Sequence, residues 1–164
     1  MTKLPLQQLR EIFGERLQEN VKLNNYTTTH VGGTVGGMMS INSASEMEFA
    51  LQNLWELDVP YHILGSGSNL LVSDSGFPGI ILHNRSHNVK INTKVDPPLI
   101  TAESGATLGQ VAQMASRRGV SGFEWANSIP GTVGGAVYGN AGAHGSDVAG
   151  KLQSVLVITR EAGT

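Results

Sequence analysis

Asn127 to Gly145 reads N-S-I-P-G-T-V-G-G-A-V-Y-G-N-A-G-A-H-G, and the rest of the 164-residue chain is organised around it. Six of these residues are Gly and three are Ala, so the backbone is nearly bare and something can lie directly against it. Pro130 presets φ and Gly131 permits a sharp bend, which predicts a turn at Ile129-Pro130-Gly131 leading into a short helix near Thr132. The N–H groups of a first helical turn lack intrahelical partners and sit at the positive end of the helix dipole, which suits a phosphate or pyrophosphate. The Thr132 hydroxyl can add a donor. The competing reading is that Gly134, Gly135 and Gly139 simply let a helix pack closely on a sheet.

A second loop shifts the balance toward a ligand. Gly65-Ser66-Gly67-Ser68-Asn69-Leu70-Leu71 follows the strand-like Tyr61-His62-Ile63-Leu64 and begins like the dinucleotide fingerprint G-x-G-x-x-G. Leu70 stands where the third Gly belongs, and Val72-Ser73-Asp74-Ser75-Gly76 is a poor helix, so a Rossmann reading fails. What remains is a strand, a tight polar turn of N–H and hydroxyl donors, and another extended piece: an anion-binding nest without a following helix.

Composition sets the outer limits. At 40% hydrophobic and 15% charged residues, the chain can bury a core as one domain or two small lobes. Eleven basic against thirteen acidic residues leave a net charge of −2, which argues against nucleic acid or an anionic membrane as partner; any phosphate must be caught locally. No apolar run approaches the roughly 20 residues of a spanning helix, and the N-terminus lacks a signal-peptide layout, so the expectation is cytoplasmic. The absence of Cys excludes disulfides and thiolate chemistry. The 21 Gly show no period and mark turns, not repeats.

Along the chain, Leu6, Leu9, Ile12, Phe13 and Leu17 predict an amphipathic helix over Leu4 to Gln18. A Thr-rich turn, Tyr26 to Gly33, precedes a short strand at Met38 to Ile41. Ser45-Glu46-Met47-Glu48 reads as a capping box for a helix reaching Asp58. Strand, helix and strand then suggest a βαβ crossover, with the Gly65 loop at the second strand's carboxyl end. Further strands are expected at Gly79 to His83, Val89 to Asn92 and Leu99 to Ala102, the last two separated by a turn at Asp96-Pro97-Pro98, with a lobe boundary near Arg85. Thr107-Leu108-Gly109-Gln110 is a second capping box, and Gly119 stops its helix behind Arg117-Arg118. Leu152 to Thr159 alternates like a strand, and Arg160 to Thr164 reads as the start of a hairpin turn.

His30, His62, His83, His87 and His144 show no metal-site spacing with further ligands, so no metal is expected. Asp74, Glu103, Glu124 and Asp147 are scattered, and no nucleophile with a neighbouring base is visible. Glu124 and Trp125 are read as positioning the loop that follows, although an indole there could also line a flavin.

Four segments in order, L-G-S-G-S-N-L-L-V-S-D-S-G-F, S-G-A-T-L-G-Q, G-F-E-W-A-N-S-I-P-G-T-V-G-G-A-V and N-A-G-A-H-G, resemble the MurB family, the UDP-N-acetylenolpyruvoylglucosamine reductases of peptidoglycan synthesis. The resemblance runs from about Asn25 to the end of the chain. It implies an α+β, two-lobed FAD-binding fold of the vanillyl-alcohol-oxidase/PCMH type, with the cofactor between lobes 1–85 and 86–164, the second lobe incomplete at its C-terminus. By position, Gly65, Ser66, Gly67, Ser68, Asn69 and Leu70 match the pyrophosphate-binding turn. Gly105, Ala106 and Thr107 match the family's G-A-T turn. Ser128, Ile129, Pro130, Gly131, Thr132, Gly134, Gly135 and Ala136 match the second cofactor loop, and Gly145 closes the last motif. His144 replaces a frequent aromatic there, so its role stays open.

The implied chemistry is FAD reduction by NADPH and then hydride transfer to the enolpyruvyl group of a UDP-sugar. The family's Tyr-Arg motif, proton-donating Ser, late Glu and substrate-binding third domain all lie beyond the matched segment, so no catalytic residue is assigned. Two readings follow: the flavin-binding part of a longer reductase, inactive alone, or a short, catalytically incomplete homologue acting as a flavin- or dinucleotide-binding module. A small-molecule oxidase module of the same fold fits the motif order less closely.

Overall fold

The computed structural model describes residues 4–160. The chain divides into two compact units, one of Met1–Asn84 with Val157–Thr164 and the other of Arg85–Leu156.

In the first unit, helix α1 (Leu6–Phe13) runs into a 3-10 turn at Gly14–Arg16, so the expected helix to Gln18 is shorter. Gly14 adopts a φ of 57°, which ends the α-helical geometry, yet Leu9, Phe13 and Leu17 still reach the core. Strand β1 (Val35–Ile41) begins earlier than the Met38 expected. Gly36 and Gly37 hid its start because Gly is a weak strand former, but both are needed. A Cβ at Gly37 would lie 2.8 Å from Leu17 Cδ1, and one at Gly36 2.9 Å from the Gly79 carbonyl.

Helix α2 (Ala44–Glu56) is capped two residues before the expected position: Ser43 Oγ accepts the Glu46 N–H, and the Glu46 carboxylate accepts the Asn42 N–H. Strands β2 (Tyr61–Leu64) and β3 (Phe77–Asn84) complete a parallel sheet ordered β1-β3-β2. The β1–α2–β2 crossover therefore skips a position, which β3 fills. As the central strand, β3 is apolar on both faces. Ile80 and Leu82 pack with α1 and α2 residues Leu9, Phe13, Leu51 and Leu54, while Ile81 packs on the opposite side with Leu23, Val35, Met38 and Leu64. Because β3 supplies both clusters, a large-to-small change there should cost about 2–5 kcal/mol.

The second unit opens with an antiparallel hairpin, β4 (Val89–Asn92) and β5 (Leu99–Ala102). Helix α3 (Leu108–Arg117) carries the expected cap, Thr107 Oγ1 accepting the Gln110 N–H, and ends before Gly119 at a φ of 71°. Leu108 and Ala112 pack against Trp125, Ala126, Ala136 and Val148. A 3-10 turn (Glu124–Ser128) then leads through Pro130 into helix α4 (Val133–Tyr138), close to the predicted start. Strands β6 (Gly142–Ala143) and β7 (Ser146–Asp147) form a small hairpin.

One expectation changes at the chain's end. Leu152 to Thr159 forms no strand and pairs with none among the described residues, although Leu156 is 95% and Val157 68% exposed. The expected hairpin turn falls, beyond Arg160, outside the described residues. Arg160 itself donates to the Trp55 carbonyl at 3.1 Å.

Candidate functional site

The residues singled out in the sequence fall into two groups, one in each unit. In the first, parallel register sets Leu64 beside His83, so the chain leaves β2 at Gly65 next to the carboxyl end of β3. Ligands in open parallel sheets gather at such ends. The Gly67 carbonyl ties the Gly65–Leu70 loop to the preceding turn: it accepts the Thr28 N–H at 3.1 Å and the Thr28 hydroxyl at 3.4 Å. Gly67, at a φ of 68°, is buried against this segment, and a Cβ there would collide with the Tyr26 carbonyl. Its glycine is thus demanded by the protein's own backbone.

The N–H groups of Ser66, Gly67 and Asn69 find no acceptor among the described residues, while Ser66 Oγ approaches Ser68 Oγ at 3.4 Å. Beside them lies a cavity of about 380 Å³ lined by Asn25, Tyr26, Thr27, Thr28, His30, Gly65, Ser66 and His83. Apart from Gly65 and Ser66, this lining was missed in the sequence. The Thr-rich turn was visible, but that it faces His83 depends on strand register, which no local pattern reports.

The second unit brings Gly105, Ala106 and Thr107 together with Gly131 to Gly135. Thr107 and Thr132 form an antiparallel bridge, with Leu108 N–H donating to Gly131 O and Val133 N–H to Ala106 O. The predicted helix start is present, but its donors are engaged. Val133 N–H donates at 2.8 Å, Gly134 N–H reaches Ser104 O at 2.7 Å, and Gly135 N–H reaches the Thr132 hydroxyl at 3.4 Å. Thr132 is buried and caps the helix by accepting the Gly135 N–H at its hydroxyl oxygen. The amides of Gly131 and Thr132 find no acceptor among the described residues. Gly131 adopts a φ of 140°, open to Gly.

The glycines of α4 divide between the two readings. A Cβ at Gly134 would lie 2.9 Å from Ser104 Cβ, so Gly134 serves close packing. Gly135 is exposed, and the nearest atom to an added Cβ is Thr132 Oγ1 at 3.5 Å. Its bare surface meets no protein. Ala136 is buried beneath it, and Ser128 and Pro130 are exposed at the entry to the loop.

Gly145 and His144 form the turn of the β6–β7 hairpin, both with positive φ, 78° and 53°. That is the backbone of a two-residue primed turn, a role His144 fills through its main chain. The acids have structural partners. Glu103 accepts the N–H and Nδ2 of Asn88, Glu124 accepts the Gly122 N–H, and Asp147 accepts from Gly150 N–H and Asn140 Nδ2. Trp125 is buried edge-to-face against Phe123, consistent with positioning the loop. Among the described residues, no group of three or more His, Asp or Glu is placed to hold a metal, and no helix is long and apolar enough to cross a membrane.

Residues 41–164 match the family described as an FAD binding domain. The chain is 35% identical over 147 residues to the UDP-N-acetylenolpyruvoylglucosamine reductase of Lactobacillus johnsonii, covering 90% of this chain and 48% of the relative. The reductase of the same name from Synechococcus sp. (strain WH7803) is 41% identical over 143 residues, covering 87% and 46%. Among solved structures, the UDP-N-acetylenolpyruvylglucosamine reductase (MurB) from Thermus caldophilus aligns with a TM-score of 0.63 at 32% identity, over 82% of this chain and 46% of that one. The chain spans about half the length of the curated relatives it matches.

Proposed function

The chain belongs to the FAD binding domain family, and on that premise we propose that it carries the flavin of a cytoplasmic UDP-N-acetylenolpyruvoylglucosamine reductase of peptidoglycan synthesis, with NADPH as hydride donor. The observation that carries the reading is the Gly65–Leu70 loop at the end of β2: its Ser66, Gly67 and Asn69 amides find no acceptor among the described residues, and Gly65 and Ser66 line the adjoining cavity. The fit is chemical: a diphosphate needs several converging donors, and the Gly65–Leu70 loop offers N–H and hydroxyl groups without a competing carboxylate in the cavity lining.

In this reading Gly65 to Leu70 hold the pyrophosphate. Gly131 and Thr132 offer two further amides, and Gly135 gives the cofactor a bare surface to lie against. Gly105, Ala106 and Thr107 act through that loop, fixing its start by the Ala106 and Gly131 carbonyls. The flavin, when bound, accepts and passes on hydride. The chain's own residues bind and orient it. Glu103, Glu124 and Asp147 accept hydrogen bonds within the unit, so none is poised as a proton donor.

Titrating the chain with FAD tests the reading through quenching of flavin fluorescence. Saturable binding is expected, and its absence would overturn the assignment. Loaded with FAD and given NADPH and UDP-N-acetylenolpyruvoylglucosamine, this 164-residue chain is expected to show no substrate-dependent NADPH oxidation. Turnover would mean that Glu103, Glu124, His144 or another residue of this segment donates the proton.

A further inference from the structure

Every residue from Lys151 to Arg160 is exposed, and the run between them, Leu152-Gln153-Ser154-Val155-Leu156-Val157-Ile158-Thr159, carries no charge, no Pro and no Gly. Leu156 at its middle is 95% exposed. The main chain is as open as the side chains: no N–H or carbonyl of Gln153 to Thr159 has a backbone partner among the described residues. Both ends of the run are nevertheless held. The Leu152 N–H donates to the Val148 carbonyl at 2.8 Å. Arg160 donates to the Trp55 carbonyl at 3.1 Å and lies 3.6 Å from the Asp58 carboxylate. An exposed, uncharged run rich in β-branched residues, with unpaired backbone, is a template for pairing with another strand.

We propose that this run is a docking surface for a second copy of the chain, the two segments pairing antiparallel about a two-fold axis at Leu156. Charge identifies the occupant and its register. Parallel in-register pairing would set Lys151 against Lys151 and Arg160 against Arg160, and an antiparallel pair centred between Val155 and Leu156 would set Lys151 against Arg160. Like charges directly opposite each other destabilise a pair of strands. Centred on Leu156, Val155 faces Val157 and Gln153 faces Thr159, apolar against apolar and polar against polar. The same register sets Lys151 of each copy opposite Glu161, so opposite charges meet at both ends. The contact is isologous, each copy giving and receiving the same groups. It is shorter than the roughly 20–30 residues a side of a stable interface, so the dimer is weak, half-formed at a chain concentration on the order of 0.1 mM.

Sedimentation velocity over about 0.01 to 1 mM chain measures the association, a dimer being the expected product. Leu156→Lys puts two like charges on the axis and should weaken dimerisation by about tenfold or more, while the exposure of Leu156 leaves the melting temperature at the parental value. Lys151→Glu should weaken it about fivefold, and combining that change with Glu161→Lys should restore the parental affinity. Amide hydrogen exchange at Gln153 to Thr159 should slow as the chain is concentrated. A chain that stays monomeric throughout leaves this run to some other occupant and overturns the inference. So do association that Leu156→Lys leaves unchanged, open-ended assemblies in place of a dimer, and a charge exchange that fails to restore affinity.

Discussion

Gly134 and Gly135 are adjacent in α4, yet adding a methyl group to each should move stability in opposite directions. At Gly134 the new Cβ would lie 2.9 Å from Ser104 Cβ and 3.0 Å from the Ser104 carbonyl oxygen, atoms at or next to the backbone that have little room to yield. Relief requires the Ser104–Ala106 turn to retreat, stretching the bonds it accepts from Gly134 and Val133 N–H at 2.7 and 2.8 Å. Overpacking of this kind costs about 2 kcal/mol and the weakened bonds about 1, against about 1 regained from the helix preference of Ala over Gly. Gly134→Ala should therefore lose about 2 kcal/mol. At Gly135 the nearest atom is 3.5 Å away, ordinary contact, so Gly135→Ala should gain about 0.5–1 kcal/mol. For a chain of this size the pair should differ in Tm by about 6–12 °C. Thermal unfolding of the cofactor-free protein measures that difference, and FAD titration supplies the second axis. If the cofactor lies against Gly135 as proposed, the new methyl group would stand in its way, so Gly135→Ala should melt higher but bind FAD about tenfold more weakly, equivalent to about 1.4 kcal/mol. A Gly135→Ala protein with parental FAD affinity would refute the ligand-facing role, and a Gly134→Ala protein as stable as the parent would refute the packing role.

Further expectations concern the first unit. Ser43→Ala should lose about 1 kcal/mol in urea unfolding and Ser45→Ala less than about 0.5, since only Ser43 caps the Glu46 N–H; the reverse order would move the cap back to the position expected from sequence. Gly67→Ala places a Cβ on the Tyr26 carbonyl in a left-handed backbone, so it should weaken FAD binding by rearranging the loop and cost about 2 kcal/mol or more, read by denaturant midpoint and FAD titration together. Glu19 is held below its ordinary value of 4.5 mainly by the hydrogen bond from Arg10 at 2.6 Å. A carboxylate with a depressed pKa contributes stability that is present above the unfolded value and lost as pH falls through the folded one. Arg10→Gln should accordingly flatten the acid-side decline of the urea midpoint below about pH 4.5, by a small amount because the pair is at the surface. An unchanged decline would show that the pair does not contribute.

The sequence yielded those features whose physics is local. Thr107 and Gln110 cap α3 where the spacing said, Gly119 stops that helix in the left-handed region, and Pro130-Gly131 delivers the chain to Thr132 at the start of α4. Each depends on a few consecutive residues, so a single stretch carries the information. The same locality explains the error at α2. Ser43 and Ser45 each have an acid three residues on, and only the path of the chain out of β1 decides which hydroxyl meets an amide. The donors of α4 were misjudged for a different reason. A helix start offers free N–H groups only when nothing else reaches them, and Ser104 and Ala106, almost thirty residues earlier, supply the acceptors.

Strands show the same division more sharply, because a strand is a relation between two segments and not a property of one. Val35 to Ile41 contains two consecutive Gly and still becomes β1, since β3 lies along it and Leu17 and Gly79 require bare backbone there. Leu152 to Thr159 has the better alternation and forms no strand among the described residues, where it pairs with no other strand. The cavity follows from the same logic. Gly65 could be read as a donor loop on its own, but the histidine beside it is chosen by the register that sets Leu64 against His83. Slipping β2 by one residue would place a different β3 side chain at that edge and turn Leu64, now buried, to the other face of the sheet. The core that fixes the register of β2 therefore also selects which β3 side chain lines the cavity beside Gly65, so packing and cavity lining at this edge are set by one alignment.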